Sequence, residues 1–246
     1  MAKGERVRVF DDARGILILS MVGFHACFDL VNIYGVSIPW YQGIAMAAWR
    51  DSISWPFLFI AGCMCAQSRS NLRRSAKYLL VAALIFVVTY ATGIVTPISF
   101  GIIFCMGACT LLSWLLGKAH LEPKGYLMGI VLIVAFWCLR DMNWGIVHLP
   151  GTELTLPSSL YATDWWSWLG FPGPTFASGD YYPVLPYCLL YLAGTAIGTE
   201  WSAAGYPDWA KRRRSRVLEF FGRNTLQVYI LHQPIIILVL TALGLG

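Results

Sequence analysis

Residues 11–29 read DDARGILILSMVGFHACFD. Two acids and an arginine open the stretch, a long apolar run follows, and a histidine and a third acid stand near its far end. An apolar run of this length predicts a membrane-crossing helix. An ionisable pair inside such a helix predicts that one of its faces looks into a bundle or a polar cavity rather than into lipid.

The rest of the chain agrees with a membrane reading. Of its 246 residues, 57% are hydrophobic and 13% charged, against about 25% charged in a soluble domain. Apolar runs near residues 12–33, 50–67, 75–95, 99–117, 125–140, 181–200 and 224–244 predict about seven transmembrane helices. The fold class is therefore all-α: a polytopic helical membrane protein forming one domain over residues 1–246, with a long outer loop at about 141–180. A barrel would show short alternating segments instead. No cleavage-site pattern follows the first apolar run.

Basic residues give an orientation. Lys3, Arg6, Arg8 and Arg14, then Arg69, Arg73, Arg74 and Lys77, then Lys118 and Lys124, and finally Lys211, Arg212, Arg213, Arg214, Arg216 and Arg223 all fall on alternate sides of the spans. The opposite side keeps only Arg50 and Arg140, beside Asp51, Asp141, Glu153, Asp164 and Asp180. This asymmetry predicts the N-terminus inside and the C-terminus outside. The net charge of +5 and the KRRRSR run are explained by anionic lipid at the inner face, with no nucleic-acid partner. The seven cysteines fall in or near the spans, as small apolar packing residues do. Cys63-Met64-Cys65 and the Cys105/Cys109 pair hint at a metal, but packing accounts for them, and no metal is expected.

The first helix carries the chemistry. Arg14 and His25 are eleven residues apart, which is about 1100° of helical turn, so they share a face about 16 Å apart along the axis. His25 and Asp29 neighbour each other at i, i+4. A His–Asp pair can glue helices. It can also act as a general base whose cation a carboxylate stabilises. Other polar elements accompany it. Asp180 can cap the sixth span or, with Tyr181, meet a substrate. His232 and Gln233 precede Pro234, whose ring frees a backbone carbonyl. Arg50 and Trp55 open the second span, and the outer loop holds Trp144, Trp165, Trp166 and Trp168. Indoles of this kind stack on sugars or anchor at the membrane interface.

Five stretches sharpen the reading: DDARGILILSMVGFHACFDL, FLFIAGCMCAQS, ISFGIIFCMG, SGDYYPVLPY and FGRNTLQVYILHQPIII. In this order they resemble the bacterial heparan-α-glucosaminide N-acetyltransferase-like family, part of a larger superfamily of transmembrane acyltransferases. The resemblance covers about residues 8–238. The chain departs where animal members carry Asn at the place of His25, and where Phe104 stands in FGIIF. The resemblance implies transfer of an acetyl or other acyl group from cytoplasmic acyl-CoA to an extracytoplasmic glycan or amino-sugar acceptor, across a bacterial cytoplasmic membrane. It implies His25 and Asp29 as catalytic residues, and Arg14 with Asp12, His232 and Gln233 for acetyl-CoA. By their position at the outer ends of the sixth and second spans, Asp180, Tyr181, Arg50 and Trp55 are expected to meet the acceptor. The oligomeric state, with a homodimer as one option, is open. The alternative is a small proton-coupled transporter or channel with a His/Asp relay. A retinal photoreceptor is excluded, because the last span has no lysine.

Overall fold

The computed structural model describes residues 6–93 and 96–245. Lys3 of the basic N-terminus and residues 94–95 of the expected third span lie outside the described residues. Each of the seven apolar runs is helical: α1 (Arg8–Asn32), α2 (Gly43–Cys63), α3 (Asn71–Thr92), α4 (Ile102–Lys118), α5 (Tyr126–Leu139), α6 (Val184–Ala204) and, after two short helices α7 (Asp208–Lys211) and α8 (Arg216–Arg223), α9 (Thr225–Leu240). Among the described residues, four segments are both long and apolar enough to cross a membrane: Arg8–Asn32, Asn71–Thr92, Tyr126–Trp144 and Thr225–Gly244. Helix α4 is apolar but has 17 residues. The charges Arg50 and Asp51 lie within α2, and Glu200 within α6.

Local signals set the helix limits. Ser70 caps α3, its hydroxyl accepting from the Arg73 N–H at 3.3 Å, and the helix stops at Gly93 with φ of 62°. Ser215 caps α8 in the same way through the Leu218 N–H at 3.2 Å. These are the residue types that satisfy orphan donors at a helix start and tolerate left-handed backbone at its end. Two features differ from the expected all-α layout. The loop after α5 holds a hairpin, β1 (Ile146–Leu149) paired antiparallel to β2 (Thr152–Thr155), turning at Pro150-Gly151. Helix α8 occupies part of what the apolar pattern leaves as a charged loop, because eight residues are too few to produce an apolar run.

The chain divides into two compact units. The first comprises residues up to 57 together with those from 205 onward. Its core is built from Ile18, Met21, Phe24, Tyr41 and Ile53, with Trp49, Val228 and Tyr229 packed against it. The Tyr41 hydroxyl donates to the Phe24 carbonyl at 3.1 Å and the Trp49 indole to Ser20 Oγ at 2.9 Å. Helix α8 lies directly on α1. A Cβ at Gly15 would fall 2.2 Å from the Leu218 carbonyl oxygen, and one at Gly222 would fall 1.7 Å from that of Asp11. Only two glycines permit backbones this close. Ion pairs cover the contact: Arg6 donates to both oxygens of the buried Asp11, and Arg8, Arg213 and Arg223 surround the buried Glu219.

The second unit, Leu58–Ala204, uses the same device. Gly194 and Gly198 of α6 bring its backbone against Phe59 and Cys63, and a Cβ at Gly62 would fall 2.0 Å from the Tyr191 carbonyl oxygen. Beside this seam the Tyr191 hydroxyl bonds Thr110 Oγ1 at 2.7 Å and Cys65 Sγ at 3.1 Å. Arg74 turns inward to donate to the Ala61 carbonyl at 2.8 Å, placing its charge at the C-terminal end of α2. All seven cysteines are free.

A contrasting pair of substitutions tests the packing. Gly222→Ala has no room for its methyl group and should destabilise the detergent-solubilised protein by about 1–3 kcal/mol or more. Gly117→Ala, where nothing lies within 4 Å, should be neutral or stabilising by up to about 1 kcal/mol. Thermal unfolding of both variants checks the difference. Equal midpoints would contradict the α1–α8 contact.

Candidate active site

Helices α1 and α9 lie side by side in the first unit and run in the same direction. Four contacts fix this. The Arg14 guanidinium donates to the Thr225 hydroxyl at the start of α9. His25 then meets His232, with ring centroids 4.7 Å apart. Asp29 meets Gln233, whose amide nitrogen lies 2.8 Å from each carboxylate oxygen. Last, the Tyr34 hydroxyl reaches the Ile237 carbonyl at 3.3 Å and Thr241 Oγ1 at 2.9 Å. Arg14, His25 and Asp29 stand three to four residues, or multiples of that, apart, so one α1 face makes the first three contacts, and Tyr34 adds the fourth just beyond the helix.

Asp29 is fully buried and His232 nearly so. A carboxylate in that position needs a donor, and Gln233 supplies it. Asp29, one turn from His25, is thus engaged by α9 rather than available only to its own helix. His232 Nδ1 lies 2.5 Å from the Tyr229 carbonyl oxygen. A carbonyl can only accept, so Nδ1 carries the proton and Nε2 keeps its lone pair. That Nε2 is buried and has no hydrogen-bond partner among the described residues. The carbonyl that His232 holds is also not the one Pro234 leaves without an amide, which belongs to Ile230, four residues earlier. Service to the proline therefore does not account for His232. The arrangement offers a neutral imidazole with a free lone pair against a second imidazole, both on rigid helices. These are the elements of proton abstraction and return.

The other expected site residues fall elsewhere. Asp12 is buried, and neither of its oxygens has a hydrogen-bond partner among the described residues. It is enclosed rather than displayed beside Arg14. Arg50 is exposed and pairs with Asp51 at 2.9 Å, and Trp55 is half-buried on α2. Asp180 and Tyr181 belong to the second unit. Asp180 Oδ2 accepts from the Ile102 N–H at 3.0 Å, so it caps α4 rather than α6. Tyr181 donates to the Ser167 carbonyl at 2.6 Å, and burial raises the pKa of its hydroxyl, keeping it a donor. Sequence reasoning does not single out Thr225 or the contact between the two histidines. The signal is present in NTLQVYILHQ, where Thr225 and His232 are seven residues apart and so share a helical face.

Removing one partner of the α1–α9 bridge should be costly. Gln233→Ala leaves the buried Asp29 carboxylate without its donor, and a loss of about 1–3 kcal/mol or more is expected in detergent unfolding. The double variant Gln233→Leu/Asp29→Leu should recover part of it. No recovery would show that the bridge does not carry the coupling.

Comparison with known proteins places the chain. No match is found among the curated proteins or the solved structures. The profile described as heparan-alpha-glucosaminide N-acetyltransferase, catalytic, matches residues 6–234, which takes in both units and every α1–α9 contact from Arg14 to Gln233. With four helices apolar and long enough to cross a bilayer, that match points to a membrane acetyltransferase. The chain belongs to the heparan-α-glucosaminide N-acetyltransferase catalytic family.

Proposed function

We propose that the protein moves an acetyl group from cytoplasmic acetyl-CoA to an amino sugar or glycan on the far side of a bacterial inner membrane. The observation that carries this reading is the shared α1–α9 face, with Arg14 at one end and the His25–His232 contact about 16 Å further along the axis. A guanidinium suits the phosphates of CoA, and a pantetheine arm is long enough to bring the thioester to a base three turns deeper. The parallel run of α1 and α9 supports placing the two termini on opposite faces of the membrane, as the distribution of Lys and Arg predicts. The family match through both units supports treating residues 1–246 as one transmembrane acyltransferase domain of about seven spans.

In this mechanism the acceptor amine attacks the thioester carbonyl carbon and His25 takes the proton it releases. His232, with its free lone pair, lies next to His25 to share that proton, while the Asp29 carboxylate stabilises the resulting positive charge. The tetrahedral adduct collapses, the C–S bond breaks, and the imidazolium returns the proton to the departing CoA thiolate. Gln233 acts as a positioning residue, holding α9 and therefore His232 in place. A relay of the same histidines in a proton-coupled transporter is the competing reading. It predicts acidification of proteoliposomes without any acyl donor.

Transfer of labelled acetyl groups from acetyl-CoA to glucosamine tests the proposal. His25→Ala should lower kcat by about 10²–10⁴-fold. Arg14→Ala should raise KM for acetyl-CoA about tenfold or more, equivalent to about 1.4 kcal/mol, while leaving KM for the sugar close to its original value. Full transfer by His25→Ala would remove the base from the mechanism. An unchanged acetyl-CoA KM in Arg14→Ala would remove the phosphate contact.

A further inference from the structure

Helix α8 and the residues leading into it form a surface that acetyl transfer does not use. Residues 206–224 contain Lys211, Arg212, Arg213, Arg214, Arg216 and Arg223 against two acids, Asp208 and Glu219. Glu219 is buried, with Arg8, Arg213 and Arg223 around it. Arg212 and Arg216 are exposed and have no acidic partner among the described residues. Arg214 lies over Trp209, its guanidinium 5.6 Å from the ring centroid. The same segment shows apolar groups: Val217 and Phe220 are each 60% exposed and Trp209 55%. Val217 and Phe220 stand three residues apart and share a face of α8, while Glu219 and Gly222 lie on its buried side.

The level of this surface along the helices decides what it meets. A Cβ at Gly15 would touch Leu218 and one at Gly222 would touch Asp11. Helix α8 therefore lies beside residues 11–15 of α1, the turns just before the apolar run that begins at Ile16. It also ends just before α9, with Asn224 between them. Both α1 and the segment from Thr225 are long and apolar enough to cross a membrane. Where two crossing helices begin together, the surroundings change from water to hydrocarbon. A short helix at that level, with apolar groups and arginines on its free side, has the character of an interfacial helix.

The mixed chemistry of the surface narrows its occupant. Water leaves Val217, Phe220 and Trp209 uncovered. A second copy of the chain would set arginines against arginines. A zwitterionic lipid covers the apolar groups but brings no net charge to Arg212 and Arg216. An anionic lipid meets both demands, with phosphate oxygens on the guanidiniums and glycerol and acyl methylenes on Val217 and Phe220.

We propose that the α7–α8 surface bearing Arg212, Arg214, Arg216, Val217 and Phe220 is a docking site for anionic phospholipid headgroups. The site is independent of the acetyltransferase reading above.

Native mass spectrometry of the detergent-purified full chain tests the site, with phosphatidylglycerol and phosphatidylcholine of matched acyl chains supplied in equal amounts. Phosphatidylglycerol adducts should outnumber phosphatidylcholine adducts about fivefold or more, the effect of one or more basic residues at an anionic surface. Arg212→Gln/Arg216→Gln should reduce phosphatidylglycerol retention about fivefold or more and leave phosphatidylcholine retention unchanged. Val217→Asn/Phe220→Asn should also reduce it, whereas Arg69→Gln/Arg73→Gln, which alters exposed arginines of the second unit, should not. The altered residues are all exposed, so thermal unfolding in lipid-free detergent should be the same for each variant. Equal retention by the Arg212/Arg216 variant and the unaltered chain overturns the proposal, as does an equal loss in the Arg69/Arg73 variant. Displacement of the lipid by excess inorganic phosphate would assign the arginines to a soluble phosphate, and a dimer mass lost only in the Arg212/Arg216 variant would assign the face to a second copy. Either result also overturns it.

Discussion

The first unit depends on a carboxylate that has no water to turn to. Asp29 is fully buried in α1, and an isolated charge there would cost several kcal/mol. The Gln233 amide, 2.8 Å from both of its oxygens, ties α9 to α1 at that point. One turn earlier on α1, His25 meets His232, the residue beside Gln233. Three further turns along α1, against about two along α9, bring Arg14 to Thr225. The polar bridge thus stands next to the histidine pair and ties α9 to the face of α1 that carries it.

The glycines do a different job. Gly15 lets α8 lie on α1 with backbones touching, and Gly222 answers it from the other side. This contact brings Glu219 and its arginines over the start of α1, at the end of the helix where the phosphates of CoA are proposed to arrive. In lipid, where helix association gains little from apolar burial, such small-residue seams supply close packing. The second unit repeats the pattern through Gly62, Gly194 and Gly198. A protein that must hold ionisable groups inside its helices has reason to use rigid seams, since a loose bundle would expose them to lipid.

Much of this was legible in sequence because helical periodicity is simple arithmetic. Arg14, His25 and Asp29 share a face whatever surrounds them, and all seven apolar runs are helices. What periodicity cannot supply is the partner. Asp29 was expected to serve His25, yet its hydrogen bonds go to Gln233, a residue 204 positions away. His232 was expected to meet acetyl-CoA, and its ring lies tilted against that of His25, a neighbour that spacing within one helix does not reveal. Asp180 was read as a cap for α6 or a substrate contact, and its carboxylate accepts from the first N–H of α4, because the chain returns there after a long loop. Helix α8 and the hairpin were missed for a related reason: short elements that owe their form to tertiary contact leave only a faint local pattern.

The central claim is that acetyl-CoA lies along the α1–α9 face with its thioester at the paired histidines. A structure of the protein bound to a non-hydrolysable acetyl-CoA analogue tests it most directly. The account predicts the phosphates in contact with Arg14 and the acetyl carbonyl within hydrogen-bonding reach of His25 or His232. An analogue seated with its acetyl end away from both imidazoles would contradict it.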